Sequence, residues 1–103
     1  MEKNLEKIVT KLFNSKLVKN VYPMLDRIEI DNVNFKRIPP QITLNIFLND
    51  PTITKENMYR KEFDPHYLVD HYLKHLLKHV ELSDIYLTFK LFGPDGDLIL
   101  DWS

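Results

Sequence analysis

Residues Phe63 to Leu82 read FDPHYLVDHYLKHLLKHVEL, and this stretch decides the fold. Asp64 is placed to cap a helix, because its short carboxylate accepts from first-turn amides that have no partner of their own. Pro65 follows at the first helical position, where a missing N–H is harmless. Phe63 and Leu68 take the two positions of a hydrophobic staple across that cap. Val69, Tyr72, Leu73, Leu76, Leu77 and Val80 then recur at the spacing of an apolar helix face, with Asp70, Lys74, Lys78 and Glu81 on the wet side. The segment predicts one amphipathic helix, which needs an apolar surface to lie on.

Period-two segments on either side supply that surface. Downstream, IYLTFKLF (85–92) turns Ile85, Leu87, Phe89 and Leu91 inward and Tyr86, Thr88, Lys90 and Phe92 outward. Gly93-Pro94-Asp95-Gly96 predicts a tight turn, with Pro94 setting the first corner and Gly96 taking the left-handed position. Leu98, Leu100 and Trp102 complete a last strand, which leaves Ile99 on the outward side. Upstream, QITLNIFL (41–48) points Ile42, Leu44, Ile46 and Leu48 inward, and Phe47 interrupts its outward polar row. Leu25 to Asn32 has the same period, with Ile28 and Ile30 opposed to Arg27, Glu29 and Asp31. Pro39-Pro40 stiffens the connection from Val33 to Pro40. Thr52 to Glu62 reads as a short helix begun at Thr54, a loop or an edge segment; some local order is expected in so long a connection.

At the N-terminus Leu5, Ile8, Val9, Leu12 and Phe13 form a helical stripe. Continuing that phase would place Lys16 and Lys19 in the stripe, so the helix is expected to end or kink near Asn14-Ser15. Pro23 excludes regular helix through Tyr22. The order is α-β-β-(short irregular or helical segment)-α-β-β over residues 1–103, a single compact α+β domain. Two layers are predicted, with a four-stranded, mainly antiparallel sheet packed against two helices.

At 103 residues and a net charge of −1, with ordinary apolar and charged fractions, the chain has material for one globular core. It contains no cysteine, which removes disulfides, thiolate metal sites and cysteine nucleophiles together. No apolar run approaches the roughly 20 residues of a membrane span. MEKNLEKIVTKLF alternates charged and apolar residues where a signal peptide would be continuously apolar, so a cytoplasmic location is expected. The chain lacks alanine and is rich in Lys, Asn, Ile and Leu, as AT-rich coding gives in low-GC bacteria, their phages and mobile elements, and in some eukaryotes.

His71, His75 and His79 recur every fourth residue and invite comparison with a metal comb. A helix rises about 1.5 Å per residue, so His71 and His79 lie roughly 12 Å apart and cannot share an ion. Lys74 and Lys78 also lie beside the stripe. The three histidines therefore read as a border, and as a pH-sensitive edge whose charging in mildly acid solution would oppose the helix. No metal or other cofactor is assigned. There is no Gly-x-Ser-x-Gly elbow and no Gly-rich phosphate loop, so no catalytic residue and no small-molecule substrate are nominated. The chain is read as non-enzymatic.

Three functions remain, of which the last is a histidine-dependent metal-binding or pH-responsive protein using the stripe His71, His75 and His79; the other two are binding functions. The favoured expectation is a protein-interaction module that binds a protein partner or itself. It would act through the outward residues Phe47, Tyr86, Phe92 and Ile99, or through the edge strand Leu98 to Trp102. The alternative is nucleic-acid binding by the helix face Lys3, Lys7 and Lys11 and the loop Lys36-Arg37, with Phe35 as a stacking platform. The slightly acidic total charge speaks against that alternative.

Overall fold

The computed structural model describes residues 2–82 and 84–103, with Glu2 and Lys3 as backbone only. Its elements are α1 (Glu2–Phe13), α2 (Lys16–Val21), β1 (Leu25–Asn34) and β2 (Gln41–Leu48). After them come α3 (Pro65–Tyr67), a π-helical stretch (Leu68–Leu73), α4 (Lys74–His79), β3 (Tyr86–Phe92) and β4 (Leu98–Trp102). The four strands form one sheet in the order β1-β2-β3-β4. Both hairpins, β1 with β2 and β3 with β4, are antiparallel as expected, while the central pair β2–β3 is parallel. The sheet is therefore mixed. The long connection carrying α3 and α4 returns the chain to the end of the sheet where β2 began, and only such a crossover can join parallel neighbours.

Alternation along the strands sorts the side chains as the sequence predicts. Ile28, Ile42, Leu44, Ile46, Leu48, Leu87, Phe89 and Leu91 are buried in a single core with Val9, Phe13 and Val18 and with Leu68, Val69, Leu73 and Leu77. Both helical regions thus cover the same face of the sheet. The first hairpin's two partners of the core, β1 and β2, are joined at Ile28–Ile46 and Ile30–Leu44 on this side. At the far hairpin Gly96 has φ 82°, and Gly93 N–H donates to Asp97 O across 2.9 Å, closing the expected turn.

The N-terminal helix breaks where the lysine phase required. α1 ends at Phe13 and α2 restarts at Lys16, leaving Lys16 and Lys19 exposed and Val18 in the core. Asn14 sits at the joint with its amide laid on the free edge of β1. Its Nδ2 donates to Ile28 O and its Oδ1 accepts from Ile28 N–H, each at 2.8 Å. One side chain thereby takes both backbone groups of an edge residue, as a neighbouring strand would.

The central helix keeps its predicted cap but not its predicted regularity. Asp64 Oδ1 accepts from the backbone N–H of His66 and Tyr67 at 3.0 and 3.1 Å. From Leu68 to Leu73 the rod widens into a π-helix, and the widening shifts the phase of all that follows. Lys74, assigned to the wet face, is half-buried, while Val80, assigned to the core face, is 38% exposed. A left-handed Glu81 (φ 61°) ends the rod, with Leu82 N–H returning to Leu77 O at 2.8 Å.

The ambiguous segment before the helix is ordered by a small device of the same kind. Thr54 N–H donates to Asn57 Oδ1 at 2.7 Å, and Asn57 N–H donates back to Thr54 Oγ1 at 3.2 Å. These reciprocal bonds start a run of turns that a left-handed Glu62 (φ 59°) closes. Ile53, Met58 and Phe63 drop from this segment into the core.

Candidate protein interface on the open face of the sheet

Because every helix lies on the inner face, the outer face of the sheet has no covering element among the described residues. Strand register arranges it in rows. Arg27, Phe47, Phe92 and Leu98 stand opposite one another across all four strands. The next row is Glu29, Asn45, Lys90 and Asp101; then come Asn32, Thr43 and Thr88, and finally Asn34, Gln41 and Tyr86.

The first row is a layered stack. Phe47 and Phe92 lie nearly parallel with centroids 5.1 Å apart, and the Arg27 guanidinium sits 3.9 Å above the Phe47 ring. Arg27 is held there by Asp26 at 2.6 Å and Glu29 at 2.8 Å. Hydrogen bonds to Glu29 and Asp26 push its already high pKa further up. A permanently charged, planar group over an aromatic face is attractive through the ring quadrupole. Leu98 ends the row 55% exposed.

The last row carries a second cation–aromatic pair. The Arg37 guanidinium lies 5.1 Å from the centroid of the Tyr86 ring, which is 43% exposed, and donates to Gln41 Oε1 at 2.8 Å. Gln41 Nε2 donates in turn to Thr88 Oγ1 at 3.2 Å, and Thr88 shares a 2.9 Å bond with Thr43. These hydroxyls are buried by their longer neighbours, not by a covering helix. Beyond Arg37, Ile38 stands 95% exposed at the loop tip.

Between the two aromatic rows the face is polar, with Lys90 among Glu29, Asp31 and Asp101. Lys90 lies 3.9 Å from Asp31 and is paired across the strands with Asp101. Asp101 accepts from the hydroxyl and then the backbone N–H of Ser103, which hold its carboxyl below the usual carboxylate range. Asn45 occupies the centre, and its Oδ1 is buried without a hydrogen-bond partner among the described residues. An acceptor in that state is disfavoured by about 1–3 kcal/mol relative to a paired one.

Three of the four residues expected on this surface are here: Phe47, Tyr86 and Phe92. Ile99 is not among them. A bulge where β4 pairs with Phe92 brings Leu98 into that row, and Ile99 is half-buried against the core. Arg27, Arg37 and Ile38 were missed as protein-interface residues, and Leu98, expected on the inner side of the edge strand, joins the outer row instead. An apolar Ile38 in a polar, proline-rich connection was a visible signal; the stacking of Arg27 on Phe47 depends on register and was not.

The other candidate groups are scattered. Lys7 and Lys11 are exposed on α1, on the helical side of the molecule, and the side chain of Lys3 lies outside the described residues. Arg37 belongs to the opposite, outer face, over the Tyr86 ring, apart from Lys7 and Lys11. Phe35 lines an apolar hollow of about 490 Å³ with Leu5, Ile8, Val80 and Leu82. The histidines also part company. His66 packs edge-on against Phe89 and Trp102, with centroids 5.4 and 4.6 Å away. His71 stacks on Tyr67 at 4.9 Å beside a groove lined by Asp70, Lys74 and Lys78. His75 and His79 face each other. Among the described residues no group of three or more His, Cys, Asp or Glu is arranged to hold a metal ion, and no helix is long and apolar enough to cross a membrane.

Comparison with protein-family models, with curated proteins and with solved structures returned no match. The surface therefore has to be read from its own chemistry.

Proposed function

We propose that the chain is a small, non-catalytic protein-interaction module of the cytoplasm whose open sheet face binds a protein partner or a second copy. The observation that carries this reading is the uncovered pair of aromatic–arginine rows, Arg27-Phe47-Phe92-Leu98 and Arg37-Tyr86. Aromatic residues and arginine are the side chains in which binding energy concentrates at protein interfaces, and a polar surround suits their rims. Charge favours a protein over a nucleic acid. Arg27 is tied to two carboxylates and Lys90 lies near one, which leaves Arg37 as the cation of this face without an acidic partner among the described residues. Phosphate binding draws on several uncompensated cations.

The test is affinity capture from the native source with the wild-type chain and with Tyr86→Asp/Leu98→Asp, both at exposed positions, alongside sedimentation over a range of concentrations. A partner, or a dimer, that the wild type forms and the folded variant loses supports the proposal. Equal capture and equal sedimentation of the two proteins would overturn it.

A further inference from the structure

The clearest unassigned chemistry lies on α4, away from the sheet face. His75 and His79 are one turn apart, both are exposed, and their Nε2 atoms stand 3.4 Å from one another. Their rings are nearly perpendicular, 89° between planes, with centroids at 4.9 Å. A tetrahedral ion held about 2.0–2.1 Å from each of two imidazole nitrogens sets those nitrogens roughly 3.3–3.4 Å apart. The pair thus already has the bite of a chelate.

We propose that His75 and His79 form a two-imidazole site for a borderline divalent transition-metal ion such as zinc or nickel, with water filling the remaining positions. The phase shift of the rod explains why this pair, and not the whole stripe, is selected. His71 lies in the π-helical stretch, and its ring stacks on Tyr67 at 4.9 Å. Among the described residues no carboxylate joins the pair, and the nearby Lys78 opposes any cation, so only the affinity of the imidazoles themselves can hold the ion. Imidazole donors without carboxylate select nickel, copper or zinc over magnesium or calcium. The site does not depend on the sheet-face proposal.

The test uses the untagged full chain, titrated with nickel or zinc chloride by calorimetry and by ¹⁵N NMR of the imidazoles. One equivalent should bind, with the Nε2 resonances of His75 and His79 shifting while those of His66 and His71 stay in place; magnesium should have no effect. Because the second imidazole binds intramolecularly, His75→Asn or His79→Asn should each weaken binding about 100-fold, while His71→Asn leaves it unchanged. All three positions are exposed, and circular dichroism checks that each variant is folded. Absence of binding at millimolar metal, binding indifferent to both ligand substitutions, or coordination through Nδ1 would overturn the proposal.

Discussion

On the inner face of the sheet Ile28, Leu44, Ile46, Phe89 and Leu91 are buried against both helical regions, whereas on the outer face of the same strands Phe47 and Phe92 stack on each other and stay half-buried. The backbone ladder is common to both. The difference lies in what the side chains must satisfy. Inward positions have to fill space left by Val9, Phe13 and the central helix, and there apolar volume is all that matters. Outward positions on β2 and β3 are small hydroxyls, amides, a lysine, a tyrosine and two stacked rings, a mixture that packing alone does not require. Stability resides on one side of the sheet and leaves the other uncovered among the described residues.

The largest expected effect breaks the inner side. Leu44→Ala empties a fully buried position and should cost about 2–5 kcal/mol in urea-induced unfolding. Phe47→Ala removes the ring on which Phe92 stacks and over which Arg27 sits. Losing those contacts should cost less, about 1–2 kcal/mol. A cost equal to that of Leu44→Ala would show that the outer face is a second core.

Asn45→Leu sharpens the comparison from the other direction. It replaces the buried amide oxygen, unpartnered among the described residues, with apolar volume of similar shape. Stability should hold or rise by up to about 1 kcal/mol in the same denaturation experiment. If Asn45 serves a partner, binding falls even though the fold gains.

The smallest effect is acidic and confined to the outer side. The Asp101 carboxyl is lowered by bonds from Ser103, so the folded state releases this proton more readily than the unfolded chain. Its contribution is complete above the ordinary carboxylate range and is lost as pH falls through the lowered folded value. Carboxyl NMR titration should show that depression, and Ser103→Ala should return Asp101 towards the ordinary range.

Much of this architecture is legible in the residues. The Asp64-Pro65 cap, the break at Asn14-Ser15, both hairpins and the inner faces of the strands follow from local rules that packing here reinforces. The parallel centre was not legible, because alternation assigns a strand's faces but says nothing of its neighbour. The π-helical stretch escaped for a related reason. Leu68, Val69, Leu73, Leu76 and Leu77 suit an α-period or a widened turn about equally, and only the exchanged environments of Lys74 and Val80 separate the two. At the candidate site, Phe47, Tyr86 and Phe92 came from period two alone. A one-residue bulge in β4 was enough to exchange Ile99 for Leu98.

The amide of Asn14 also sets how far this sheet can grow. A sheet with two open margins has a valence of two, so each added copy presents another margin and association continues into fibrils. Here β1 is occupied at Ile28 by the Asn14 side chain and interrupted at Asp26 and Asp31 by irregular register. The backbone of β4 meets no such plug among the described residues. Were a second copy to add at β4, the addition would have a valence of one and would stop at the pair.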